Sequence, residues 1–318
     1  MKVRNLINAA DDQVQEQPVP DFCLPRNAIG LEYEWEKTKR FPKNDNPYLN
    51  LAVNPELPPG AVAPNPLLQG TTHMAVITEV CKYYNHHVDH SLRGEGLEFN
   101  FKAPYSGSKL LKAIDAMDDC ARVLGFEGSY RTSLHVHLDM RDATFPDDVH
   151  QFGAVYCVVE PFLYQYVGGG RHLSNYCIPW YKHPQHFEAF KDCIRKYHVP
   201  ESSSAVAGFK IGKQANKYAG LNCFSLGDFG TLEFRHGRVT MQRDAIITWI
   251  NLIMRIKQWC QEHPMTPDKV IDYCNHKKPE QFLVEVFKSH YRDAVRMSRN
   301  SEADYWNGLE TLYQYVAA

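Results

Sequence analysis

Residues 28–36 read AIGLEYEWE, and residues 133–140 read SLHVHLDM. Successive side chains of a strand point to opposite faces, so residues two apart share a face at roughly 6.6 Å. The first stretch therefore sets Leu31, Tyr33 and Trp35 against Glu32, Glu34 and Glu36, and the second sets Leu134, Val136 and Leu138 against His135, His137 and Asp139. Two further stretches obey the same rule. Across 96–102, Leu97, Phe99 and Phe101 oppose Glu98, Asn100 and Lys102, and across 231–236, Leu232 and Phe234 oppose Glu233 and Arg235. Such alternation belongs to an antiparallel sheet with one wet face. An ordinary solvated face favours Thr, Ser and Lys, whereas this one is dominated by Glu, His and Arg. Taken together, the four strands point to a shared polar cavity that no single strand would justify.

Working outward, apolar periodicity predicts helices over 72–88, 108–124, 149–167, 185–197, 240–262, 267–274, 279–295 and 302–316. Pro161 marks a kink or an early end of its helix. Residues 222–226 and 231–236 read as a hairpin around 227–230. Long loops rich in Pro, Asn or Gly fall at 42–65, 168–182 and 203–220, and loops of this length tend to be lids or disordered segments. The polar, Pro-containing residues 1–27 suggest an extended lead-in.

Composition narrows the function classes. Of the 318 residues, 44% are apolar, enough for a core, and 35 basic against 37 acidic side chains exclude a polyanion-coating protein in the usual sense. No nucleic-acid partner is expected. No stretch is apolar enough to span a bilayer, because 245–259 carries Arg255 and Lys257, and no signal-peptide core precedes the first strand. Cytoplasmic residence without membrane contact is therefore the expectation. Nine scattered cysteines with no CxxC fit reduced, buried thiols better than disulfides or structural zinc.

Several carboxylates with an imidazole suit Mg²⁺ or Mn²⁺ and attached phosphates better than zinc, which takes fewer and softer ligands. An arginine two residues from such a glutamate, as Arg235 is from Glu233, would neutralise a transferring phosphoryl group without competing for the cation. Neither Lys109 nor Lys213 completes a P-loop, and no GxGxxG follows a strand. Two weaker clusters stand apart. His86, His87, Asp89 and His90 would form a metal site at a helix end, a polar terminus or part of the rim of the site. Arg171, His172, Asn175 and Tyr176, after three glycines, would form either a substrate-carboxylate clamp or a turn bonded to itself.

The segments GLEYEWE at 30–36, HSLRGEGLEFNFKAP at 90–104, SLHVHLD at 133–139 and YAGLNCFSLGDFGTLEFRHGRVT at 218–240 carry a joint resemblance. In this order and spacing the chain resembles the amidoligase family of the glutamine synthetase-like carboxylate–amine ligases, which include the glutamate–cysteine ligases. The resemblance implies an α+β fold: a glutamine synthetase-like catalytic domain over 28–262, with a curved antiparallel sheet, a polar concave face and helices behind. Residues 263–318 would be a helical extension packed on it.

It further implies an ATP- and Mg-dependent (or Mn-dependent) enzyme forming an amide or peptide-like bond through an acyl phosphate. Its partners would be a small-molecule or peptide carboxylate and an amine. By similarity Glu32, Glu34, Glu98, His135 and Glu233 would hold metal, with Glu95 as a helper. His137 and Lys217 would meet nucleotide, Arg235 the transferred phosphoryl group, and Arg93 substrate or phosphate. Lys210, Lys213 and Lys217 stand where an arginine is expected, and a lysine lacks the bidentate fork. The alternatives are another Mg-ATP phosphoryl-transfer enzyme on the same fold, or a catalytically degenerate binding or structural protein.

Overall fold

The alternation at 28–36 forms β1 (Ile29–Lys37), with Leu31, Tyr33 and Trp35 buried. The computed structural model describes residues 28–37, 72–89, 92, 96–143, 147–168, 170–183, 185–197, 217–240 and 242–318. β1 pairs antiparallel with β3 (Leu97–Phe101) and β5 (Leu134–Asp139), and at its end with the short β4 (Phe126–Glu127). β2 (Tyr84–Val88) lies outside β3, β7 (Thr231–Gly237) beside β5, and β6 (Leu221–Asn222) beside β7. Among the described residues this makes one seven-stranded antiparallel sheet, ordered β2-β3-β1-β5-β7-β6 with β4 alongside β1. The sheet is open-edged and not strongly curled. The polar hollow over it is therefore walled by loop residues as well as floored by strands.

Helices cover the apolar face. α1 (Thr72–Tyr83) packs on α2 (Gly107–Leu124), whose Leu110, Ile114, Met117 and Leu124 are buried at helical spacing. α3 (Asp147–Val167) and, later in the chain, α6 (Arg243–Glu262) meet at Phe234 of β7, whose ring lies 6.0 Å from Phe152 and 6.4 Å from Trp249. Between them in sequence come α4 (Gln185–Tyr197) and the five-residue α5 (Ser225–Phe229). The tail adds α7 (Pro267–Asn275), α8 (Pro279–Phe287), α9 (Tyr291–Val295) and α10 (Ser301–Ala317). α10 runs so close to α3 that a Cβ on Gly308 would stand 2.2 Å from the Val158 carbonyl oxygen. The cysteines Cys81, Cys120, Cys157, Cys177, Cys223, Cys260 and Cys274 are buried and none forms a disulfide. No helix among the described residues is long and apolar enough to cross a membrane.

Several expected boundaries move. The helix expected over 72–88 ends at Tyr83, because Tyr84–Val88 pairs with β3 and Tyr84 packs edge-on to Phe99 at 6.4 Å. Strand pairing at a sheet edge here overrides a helical apolar pattern. The strand expected over 222–226 stops at Asn222, and α5 fills the connection to β7. Helix α3 passes through Pro161 to Val167 without ending there. The single helix expected over 279–295 breaks at Lys288, whose φ of 46° lies in the left-handed region. The lead-in at 1–27, the loop at 42–65 and most of 203–220 fall outside the described residues.

Glu160 of α3 is fully buried, accepting from Tyr156 Oη at 2.7 Å and from the Trp180 amide at 2.8 Å. Burial pushes its carboxyl up to about 7, with the hydrogen bonds only partly opposing. The fold therefore favours the protonated form. That contribution to stability is full below the ordinary value of 4.5 and is lost as pH rises through about 7. Denaturant titrations of the wild type and of Glu160→Gln should diverge across this window, with the wild type losing stability relative to the variant; parallel curves would contradict this reading of the burial.

Candidate active site

Register assembles the polar face. Glu34 stands across from Glu98, Glu32 from both Asn100 and His135, and His137 from Glu233. Asn222 of β6 completes the row, donating from Nδ2 to Glu233 Oε2 at 2.6 Å. Gly30 sits opposite His137, where a Cβ would approach the His137 Cβ to 3.0 Å. Its missing side chain leaves room for the imidazole to lie over β1.

The face floors a cavity of about 860 Å³. Glu32, Glu34, Glu98, His137, Glu233 and Arg235 line it, and Asp89, Asn100, Lys102, Arg131, Arg141, Lys217 and several aromatic residues form its rim. His135 lies beneath the floor, fully buried. Its Nδ1 is 3.3 Å from both Glu32 Oε1 and Glu233 Oε1, and its Nε2 is 3.8 Å from Glu34 Oε1. Despite this proximity neither ring nitrogen meets hydrogen-bond geometry. Three triplets bring one ligand atom each to within 4.8 Å of one another: Glu32, His137 and Glu233; Glu32, Glu34 and His135; Glu34, Asp89 and Glu98. Oxygen-rich triplets sharing two glutamates, over a buried imidazole whose nitrogens lack hydrogen-bond partners, fit hard divalent cations.

The electrostatics agree with that donor set. Burial works against ionisation of Glu32, but His135, His137 and Arg235 outweigh it and hold the carboxyl well below the usual range. Glu233 behaves alike: burial opposes, while Arg235 and His135 prevail and lower it. Glu98 differs, although His87 Nε2 lies 3.1 Å from its Oε1 and Asn100 donates to it at 2.8 Å. Burial, then repulsion from Glu32, pushes it up to about 8. For His137, burial is outweighed by Glu32 and Glu233, which raise its pKa. The carboxyls nearest Arg235 are thus the more acidic ones of the face.

The remaining residues singled out in the sequence divide. Arg235 Nη1 pairs with Glu233, its Nε donates to the Tyr176 carbonyl at 3.3 Å, and its guanidinium lies 5.9 Å from the Tyr218 ring centroid. The Lys217 ammonium stands 5.0 Å from the same centroid, and Lys217 and Tyr176 both line the cavity. Asn175 is exposed and is not among the lining residues. Arg171 is buried away from the cavity and hydrogen-bonded to backbone carbonyls and Ser133. His86 sits on β2, its ring 5.9 Å from Phe99, rather than at a helix end. His90, Arg93 and Glu95 lie outside the described residues.

Of the cluster at 86–90, Asp89 takes the rim position open to it, within reach of Glu34 and Glu98. Asn222 and Thr231 were overlooked, although Thr231 Oγ1 is 3.1 Å from His137 Nδ1. Extending the strand alternation one residue back from Leu232 and across the hairpin would have found both.

The fold and face thus define a carboxylate- and imidazole-lined site on an antiparallel sheet, of the kind suited to divalent cations. Residues 104–257 match the model of a family described as "Putative amidoligase enzyme". The match spans β5 and β7, with His135, His137, Glu233 and Arg235, but stops short of β1 and β3. Sheet register is what joins Glu32, Glu34 and Glu98 to the matched half. No curated protein matches the chain.

Removing a shared donor should weaken two triplets at once. Glu34→Gln is expected to lower Mn²⁺ affinity at least about tenfold by calorimetry, while Glu79→Gln, on the exposed side of α1, leaves it unchanged. Equal affinities for the two variants would exclude cation binding by these triplets.

Proposed function

We propose that the chain is an ATP- and Mg²⁺-dependent (or Mn²⁺-dependent) carboxylate–amine ligase with a glutamine synthetase-like catalytic domain. It joins a small-molecule or peptide carboxylate to an amine. The observation that carries this reading is the set of three overlapping cation triplets flooring one cavity with Arg235 at their side. The amidoligase-family match supports the same conclusion.

A carboxylate is a poor acylating agent because its oxygen leaves badly. Transfer of the ATP γ-phosphoryl group to it gives an acyl phosphate, and attack by the amine then yields the amide, ADP and phosphate. Glu32, Glu34, Glu98, His135 and Glu233, joined by Asp89, would hold the cations. Divalent cations bound there would screen the repulsion between carboxylate and triphosphate. Arg235, fixed at Glu233, neutralises charge on the transferring group. His137 and Lys217 contact the nucleotide phosphates. The aromatic and loop rim limits the access of water, which would otherwise hydrolyse the acyl phosphate.

Purified chain supplied with ATP, Mg²⁺ and panels of carboxylates and amines should release ADP only when both partners are present, and mass spectrometry should find the amide. Arg235→Ala should lower this turnover by about a hundredfold or more. ADP release that needs a carboxylate but no amine, with a phosphorylated product, would replace the ligase by a phosphotransferase. Absence of Mg²⁺-dependent nucleotide binding would leave a non-catalytic protein.

A further inference from the structure

β7 carries one residue too many against β5: Val136 pairs with Phe234, but Leu134 pairs with Gly237. Such a bulge bends its strand and redirects side chains, and left alone it is a weak point of the ladder. The residues at the bulge are Arg235 and His236. The side chain of Arg171, on a 3₁₀ turn after α3, is directed at them. Its Nη2 donates to the Arg235 carbonyl at 2.8 Å and to Ser133 Oγ at 3.0 Å, its Nε donates to the His236 carbonyl at 3.1 Å, and its Nη1 reaches the Tyr130 carbonyl at 3.5 Å.

Arg171 is only 3% exposed, yet these acceptors are backbone carbonyls and a hydroxyl, none a carboxylate. A buried cation held only by neutral oxygens is costly unless its donors are well used. The fixed fork of a guanidinium can span several carbonyls where an ammonium cannot. Three of the four anchored residues adjoin the cavity. Arg235 lines it, Tyr130 precedes the lining residue Arg131, and the Ser133 carbonyl accepts the Glu34 amide at 2.9 Å. Five residues beyond Arg171, the Tyr176 carbonyl takes the Arg235 Nε. One segment thus grips both the main chain and the side chain of Arg235.

We infer that Arg171 is a positioning residue: it pins the β7 bulge and the turn before β5 and so aims Arg235 at the phosphate region of the cavity. The inference rests on the ligase reading for what Arg235 meets, but the pinning itself can be measured without a ligand. The test uses the full chain with Arg171→Gln, Arg235→Ala and the double variant. Calorimetry measures affinity for a non-hydrolysable ATP analogue with Mg²⁺ and for Mn²⁺ alone; hydrogen exchange follows peptides covering 231–240 in the ligand-free protein.

Arg171→Gln should weaken the analogue about tenfold. The loss should vanish in the Arg235→Ala background, since two groups acting as one unit are not additive. Mn²⁺ affinity should hold within about twofold, as the triplets do not contain Arg171. Exchange across 231–240 should rise. If Arg171→Gln does not fold, Ser133→Ala removes one acceptor alone and should show a smaller analogue loss that also disappears with Arg235→Ala. Additive losses, or unchanged exchange in a chain that binds the analogue normally, would overturn the assignment alone. A wild type that binds no analogue would overturn the ligase reading and, with it, the role in aiming Arg235.

Discussion

Everything on the polar face depends on burying His135 under carboxylates. Its imidazole is fully enclosed, within 3.3 Å of Glu32 and Glu233, because β5 lies between β1 and β7 in a register that sets Glu32 directly opposite it. Carboxylates this close repel strongly where water is excluded. On the β7 side Arg235 and the two histidines offset the repulsion, and both Glu32 and Glu233 remain ionised. On the β3 side burial and repulsion from Glu32 suppress the acidity of Glu98, with His87 Nε2 3.1 Å from its Oε1. The site is asymmetric: the carboxyls of Glu32 and Glu233 are held low, whereas that of Glu98 is raised.

The opposite face makes this arrangement tolerable. Tyr33, Trp35, Phe99, Val136, Leu138 and Phe234 are all buried behind the same strands, and helices α2, α3 and α6 close over them. Burial of this kind, at roughly 25 cal/mol per Å² of apolar surface, fixes the register. A slip of one residue would turn every glutamate into the core. The same alternation therefore specifies the fold and the site together, and neither could change without the other.

That coupling explains how much could be read from the chain alone. Strands whose two faces differ sharply in chemistry, such as 31–36 and 134–139, were legible together with Glu32, Glu34, His135 and His137, because period-two alternation needs no partner to be seen. Elements defined by their neighbours were not. Residues 84–88 have the composition of a helix end and become β2 only because β3 offers an edge; Asp89 joins Glu34 and Glu98 by that same pairing. Residues 223–226 likewise look like strand and are taken into the connection before β7. The part of the chain matched to the amidoligase family holds only half of the polar face, and no local pattern says which strands will lie beside it. The expected curvature came with the resemblance rather than from any residue pattern, and the sheet is not strongly curled.

The buried cysteines have a consequence of another kind. Cys81 lies on α1, Cys120 on α2, Cys157 on α3, Cys260 on α6 and Cys274 on α7, while Cys177 and Cys223 sit in connections beside the sheet. A thiol reacts as thiolate and only where reagent can reach it, and burial in apolar surroundings suppresses both. The folded chain is therefore guarded against oxidative cross-linking at these positions by its packing rather than by the reducing power of its surroundings. The rate at which each thiol is captured by an alkylating reagent then reports how often its own element opens. With thiols spread from α1 to α7, the protein carries an internal set of gauges for whether it comes apart as one unit or in pieces.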